Sequence, residues 1–153
     1  MSPQIIHLRN AMDISGLGDK LVEQLVETKM VQDYADLYSL NSSQLQTLDR
    51  MGTKSADKLV LEIGKSRDRG LVRVINALGI RHVGPRVATL LTEQFPSVDE
   101  LCKATIEELA AIHEIGDIIA ESVHDWFTSD YGRYVIGGLV SAGVAMEAFQ
   151  SSA

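Results

Sequence analysis

The feature that most constrains this chain is an internal duplication. Ile14-Ser-Gly-Leu-Gly-Asp-Lys-Leu21 lies over Ile80-Arg-His-Val-Gly-Pro-Arg-Val87 at an offset of 66 residues. Ile14 meets Ile80, Leu17 meets Val83, Gly18 meets Gly84 and Lys20 meets Arg86; further on, Leu25 meets Leu91 and Glu27 meets Glu93. A second stretch aligns at an offset of 64, pairing Leu37 with Leu101, Asn41 with Thr105, Leu45 with Leu109, Met51 with Ile115, Gly52 with Gly116, Ala56 with Ala120 and Ile63 with Phe127. The change of offset requires a two-residue length difference near residues 28–34, and such differences belong in loops. Glycines, cap positions and apolar rows all match, so one two-hairpin unit occurs twice, over residues 11–66 and 77–128, with hairpins centred on Gly18, Gly52, Gly84 and Gly116.

Each glycine opens a helical pattern. Leu21 and Leu25, Ala56, Leu59 and Ile63, Val87, Ala88, Leu91 and Phe95, and Ile119, Ala120, Val123 and Phe127 all follow the 3.6-residue period. Asn41 and Thr105 read as N-caps, Thr105 with Glu108 as a capping box, and Ser97 with Glu100 caps another short helix. Pro85 falls at a first helical position and Pro96 ends the helix before it. No alternating strand pattern appears. The expected fold is all-α: one compact domain over residues 1–153 containing four helix-hairpin-helix motifs, with a C-terminal helix near 129–146. Apolar residues at 45% are enough for a core, and aromatics at 5% make that core mostly aliphatic.

The net charge of −7 argues at first against nucleic acid, but its distribution matters more than its sum. Residues 1–49 carry net −4, residues 50–86 net +6 and residues 87–153 net −9. The middle block is Arg50, Lys54, Lys58, Lys65, Arg67, Arg69, Arg73, Arg81 and Arg86. On charge alone, a solvated helix face and a nucleic-acid surface are equal readings. The hairpins add weight to the second. A glycine there is expected to supply backbone angles that other residues resist. It also puts no side chain between the backbone and an approaching ligand. The helix behind it offers unpaired N–H groups and a positive dipole end, which is an anion site that fits a DNA phosphate. Lys20, Lys54 and Arg86 each follow two positions after the glycine and add a charged contact, whereas Gly116 is followed by Asp117 and has no basic partner. Leu17, Met51, Val83 and Ile115, just before each glycine, are expected to pin the hairpins to the core. The pair at Gly52 and Gly84 borders the basic block and is expected to dominate binding.

Asp13-Ile-Ser-Gly-Leu-Gly-Asp-Lys-Leu21, Arg50-Met-Gly-Thr-Lys-Ser-Ala56 and Leu78-Gly-Ile-Arg-His-Val-Gly84 resemble the tandem helix-hairpin-helix domain of bacterial NAD-dependent DNA ligases, and the resemblance runs from Arg9 to Met146. It implies a domain that holds nicked double-stranded DNA across the minor groove while other domains of the ligase seal it. It also implies DNA contacts at Gly16, Gly18, Lys20, Gly52, Lys54, Arg81, His82, Gly84, Arg86 and Gly116, and Thr53 and Lys58 beside the second hairpin are further candidate DNA-binding residues. The family's nucleophilic Lys-x-Asp-Gly motif is absent from this sequence, and one cysteine cannot make a four-cysteine zinc element. The expectation is therefore a domain or fragment of such a ligase with no catalytic residue of its own; NAD and Mg would belong to the catalytic domain. A junction-binding or excision-repair module is an alternative, and the acidic residues 87–153 suggest a helical protein-interaction domain as another.

Other chemistry finds little support in the residues. His7, His82, His113 and His124 show no metal-ligand spacing, so no metal is expected, and there is no G-x-x-x-x-G-K-[ST] phosphate loop. His82 is open to either a groove contact or a structural role. Trp126 reads as partly buried packing, with stacking on an exposed base as the alternative. Cys102 reads as a buried structural thiol. No apolar run approaches the roughly 18 residues of a membrane span, and residues 1–10 do not form a signal peptide. The expected setting is cytoplasmic, at the nucleoid.

Overall fold

The computed structural model describes Met12 and residues 14–147; His7, Arg9, Asp13 and the Ser-Ser-Ala tail lie outside the described residues. Among the described residues ten helices follow one another: α1 (Asp19–Glu27), α2 (Tyr34–Leu37), α3 (Ser42–Leu45), α4 (Thr53–Ser66), α5 (Leu71–Ala77), α6 (Pro85–Gln94), α7 (Val98–Lys103), α8 (Ile106–Ala110), α9 (Asp117–Thr128) and α10 (Asp130–Ser141). The same residues contain no strand, only an isolated bridge between Ser97 and Glu147.

The helix starts reproduce the duplication. The N-caps pair as Gly18 with Gly84, Asp33 with Ser97, Asn41 with Thr105 and Gly52 with Gly116. The length difference falls between α1 and the Asp33 cap, in the connection where the sequence places it. In unit 1 that loop passes through Lys29 in a left-handed conformation; in unit 2 the shorter connection contains Pro96. Pro85 stands in the first turn of α6, where its missing N–H costs nothing.

The apolar stripes turn inward together. Leu21, Val22 and Leu25 of α1, Ala56, Leu59 and Ile63 of α4, Ala88, Leu90 and Leu91 of α6, and Ala120, Val123 and Phe127 of α9 enter one shared core. Helices α3 and α4, α5 and α6, and α8 and α9 pack as the second, third and fourth hairpins. A polar bond crosses between the units at a buried point: the Tyr34 hydroxyl donates to the Leu78 carbonyl at 3.2 Å. Burial drives that phenol's pKa far above its ordinary value.

Helix α10 lies against α9 and α2. It begins so close to α9 that a Cβ on Gly132 would overlap the Trp126 carbonyl oxygen. The helix stops at Ser141, short of the expected 146, because Gly143 turns left-handed at φ 84°. There Gly143 N–H donates to Val140 and Val144 N–H to Leu139, a glycine-centred cap that satisfies the last carbonyls. Residues 144–147 then run as a clasp. Ala145 N–H donates to Arg67, Val98 N–H to Met146, and Leu71 N–H to Glu147. The end of α4, the start of α5 and the start of α7 are thereby tied together.

Candidate nucleic-acid interface

The four hairpins share one backbone path. In each, a left-handed residue is followed by an apolar residue and then by the glycine that caps the helix. The left-handed positions are Gly16 (φ 91°), Arg50 (φ 61°), His82 (φ 71°) and Glu114 (φ 71°). The capping glycines Gly18, Gly52, Gly84 and Gly116 have φ of −77°, −87°, −110° and −89°, ordinary extended backbone. This corrects the expectation that the capping glycine itself supplies unusual angles. The turn reverses two residues earlier, and of the four left-handed positions only hairpin 1 has glycine there.

Nor does packing require these glycines. A Cβ added at Gly18, Gly52, Gly84 or Gly116 meets nothing within 4 Å. Helices α2, α3, α7, α8 and α10 are capped by the side chains of Asp33, Asn41, Ser97, Thr105 and Ser129. The hairpin helices α1, α4, α6 and α9 have no side-chain cap; among the other described helices only α5 lacks one, and its first N–H donates instead to the Glu147 carbonyl. Such caps contribute about 1 kcal/mol, so the hairpins forgo stability where side chains elsewhere in the chain provide it. What remains is four hairpin-helix N-termini whose first-turn N–H groups, fewer by one at Pro85 of α6, and positive dipole ends carry no capping side chain.

The apolar residues before the glycines do anchor the turns. Leu17, Val83 and Ile115 are buried, and Met51 is half-buried against the core. Lys20, Thr53, Lys54, Lys58, Arg81, His82 and Arg86 are all exposed beside the turns, as are Gly16, Gly18, Gly52 and Gly116, with Gly84 intermediate. His82 thus serves the backbone through its left-handed angle while its imidazole stays at the surface.

Two clefts join the hairpins in pairs. Gly16, Gly18, Lys20, Arg50 and Met51 line the cleft between hairpins 1 and 2, together with Asp19 and Asp49. The Asp49 N–H donates to Gln24 Oε1 at 2.9 Å and fixes the turn of hairpin 2 against α1. Arg81, His82, Ile118, Ser122 and Trp126 line a cleft between hairpins 3 and 4. There the Ser122 hydroxyl donates to the Arg81 carbonyl at 2.6 Å. Arg86 is exposed yet occupied: its Nη2 lies 2.5 Å from Glu114 Oε2.

The basic block divides in three dimensions. Arg67 donates from Nε to the Ala142 carbonyl at 2.8 Å and from Nη2 to the Tyr38 carbonyl at 3.0 Å, with its guanidinium 5.2 Å from the Tyr38 ring centre. Arg69 donates to the Met12 carbonyl at 3.0 Å. These two are structural cations and leave the candidate surface. Sequence reading did not single out Arg50 or Glu114 as site residues. The signal was available, since both stand two positions before an aligned glycine, in register with Gly16 and His82.

Cys102 is half-buried rather than buried, and its thiol is held above its ordinary pKa by partial burial and then by the Asp99 carboxylate, the opposite of an activated nucleophile. Trp126 is half-buried, edge-on to Phe127 and Tyr131, with ring centres 5.0 and 6.5 Å away. Among the described residues no helix is long and apolar enough to cross a membrane, and no three His, Cys, Asp or Glu side chains gather as metal ligands.

The repeated cap, turn and helix define a tandem helix-hairpin-helix domain. Residues 8–65 match the family model of a SAM-like helix-hairpin-helix tandem, and residues 73–136 match that of the helix-hairpin-helix motif. The chain is 50% identical over 94% of its length to a DNA ligase of Halothermothrix orenii, of which it covers 22%. It is 48% identical over 92% of its length to a DNA ligase of Syntrophotalea carbinolica, covering 21% of that protein. A DNA ligase of Lysinibacillus sphaericus is 48% identical over 90% of the chain, which again covers 21% of it. The chain belongs with the helix-hairpin-helix domains of bacterial DNA ligases, and it spans about a fifth of the length of these relatives.

Proposed function

We propose that this domain binds double-stranded DNA without regard to sequence, through phosphates and the minor groove, as the non-catalytic DNA-holding domain of an NAD-dependent ligase acting at nicks. The observation that carries the reading is the set of four capping glycines that neither backbone angle nor packing explains. A ligand that must approach the backbone closely explains them, and a phosphate oxygen suits the uncapped N–H groups and the dipole behind them. Lys20, Lys54, Lys58, Arg81 and Arg86 stand beside these points as charged partners. Phosphate contacts fix register without reading bases, so binding is indifferent to sequence. The acidic residues of the second unit, with Asp117 in the first turn behind Gly116 and Glu121 and Asp125 in the cleft between hairpins 3 and 4, weaken the grip of hairpin 4.

In this reading the nucleophilic lysine, NAD and Mg belong to other domains of the parent enzyme, which meet this one around the DNA in the cytoplasm. Anisotropy titrations over a range of salt, with nicked, intact and four-way-junction DNA, test it. The expected result is preference for nicked duplex, with about 3–6 phosphates neutralised at a slope of about −0.9 each. Absence of binding at low salt overturns the proposal. Preference for the junction replaces it with a junction-binding module, and transfer of adenylate from NAD to any lysine overturns the non-catalytic role.

A further inference from the structure

We propose that Glu114 is a built-in stand-in for a DNA phosphate on Arg86, so that the second unit grips DNA only where a phosphate displaces it. The inference rests on the DNA-binding reading above and assigns Glu114 as a specificity-determining residue of that surface.

The contact joins two hairpins. Arg86 is in the first turn of α6, two residues after Gly84, and Glu114 is the left-handed residue two before Gly116. Their side chains meet at 2.5 Å, while remaining 70% and 45% exposed. A carboxylate and a phosphodiester present the same kind of anionic oxygen to a guanidinium, so the two compete for one partner beside the open N-terminus of α6.

The duplication supplies the comparison. Lys20 is the counterpart of Arg86, and Arg50 is the counterpart of Glu114. In unit 1 these positions line one cleft with Gly16 and Gly18, and both are cations. In unit 2 the same positions carry a cation and an anion already joined. The fold does not depend on that anion. The turn of hairpin 4 is held by buried Ile115 and by its N–H bond to the Ile112 carbonyl at 3.0 Å, and hairpin 3 is tied to α9 by Ser122 and Arg81. Exposed ion pairs contribute little to stability. The left-handed position does not itself select glutamate, since Gly16, Arg50 and His82 hold the same place in the other hairpins. Glu114 is explained by what it does to Arg86.

The consequence is an asymmetric grip. Unit 1 meets DNA with two cations at these positions, and unit 2 must first exchange a carboxylate for a phosphate. Loosely fitting DNA does not drive that exchange.

Salt-titrated binding to nicked duplex by Glu114→Gln and Glu114→Arg tests the proposal; the arginine variant copies Arg50, which already occupies the equivalent left-handed position. Glu114→Arg is expected to bind about five- to tenfold more tightly near 0.1 M salt, with a slope steeper by about 0.9. Glu114→Gln is expected to move in the same direction. The reciprocal Arg50→Glu is expected to weaken binding and flatten the slope. The gain from Glu114→Gln must vanish in an Arg86→Gln background; a gain that persists there reports general charge and overturns the stand-in role. Unchanged or weaker binding by Glu114→Gln, with an unchanged melting midpoint, overturns it as well. Failure of the wild-type chain to bind DNA at low salt refutes the underlying reading instead.

Discussion

Replacing Gly52 with valine separates the fold from the phosphate site. Gly52 has φ −87° and ψ 177°, a conformation comfortable for a β-branched residue, and its Cβ position is open to 4 Å. In the folded state the substitution meets no clash. Losing a glycine restricts the unfolded chain and stabilises by about 0.4–1 kcal/mol. Valine caps a helix less well than glycine, which offsets roughly that amount. The net change in stability is therefore within about 1 kcal/mol. The methyl groups, however, stand between the α4 N-terminus and any approaching phosphate. Losing one hydrogen bond to a charged group costs about 1.5–3 kcal/mol, which is roughly a 10- to 150-fold weaker Kd. Urea denaturation and fluorescence anisotropy on a labelled nicked duplex measure the two quantities on one preparation. A variant that folds and binds like the wild type would show that hairpin 2 has no phosphate site and refute the glycine argument.

The opposite behaviour is expected at Gly132, where a Cβ would overlap the Trp126 carbonyl oxygen. Gly132→Ala should cost about 3 kcal/mol in urea denaturation, and an unchanged midpoint would mean that α9 and α10 do not approach so closely. Lys54→Ala and Lys58→Ala should each flatten the salt slope by about 0.9 while leaving the melting midpoint unchanged; slopes equal to wild type would remove those side chains from the interface. Tyr34→Phe deletes the buried bond to the Leu78 carbonyl and leaves that oxygen without its phenol donor, a loss of about 1–2 kcal/mol that thermal melting detects. Because burial and Asp99 raise the Cys102 pKa, less thiolate is present at neutral pH than in a free cysteine. Alkylation followed by mass spectrometry should be slower than for a cysteine-containing peptide and accelerate as pH rises; equal rates would contradict that environment.

By itself the sequence determined the helical class, the two-fold duplication and the place of each hairpin. Those properties are local: the 3.6-residue period, the caps at Asn41, Ser97 and Thr105, Pro85 at a helix start and the aligned glycines act within a turn or two of chain. It also placed the loop difference between the units, because N-caps carry their own chemical signature. Only the tertiary structure decided what each charged side chain does. Lys54, Lys58, Arg67 and Arg69 look alike as cations in one basic block. Yet Arg67 and Arg69 bond to the carbonyls of distant residues, while Lys54 and Lys58 remain at the surface.

The same holds for the capping glycines. Sequence marked them as special but assigned them the wrong angles, since a backbone torsion depends on how the turn closes onto the core, and the reversal falls on Gly16, Arg50, His82 and Glu114. The pairing of Arg86 with Glu114 spans 28 residues and two hairpins. No periodicity records such a contact, because it exists only once the shared core has brought the two turns side by side.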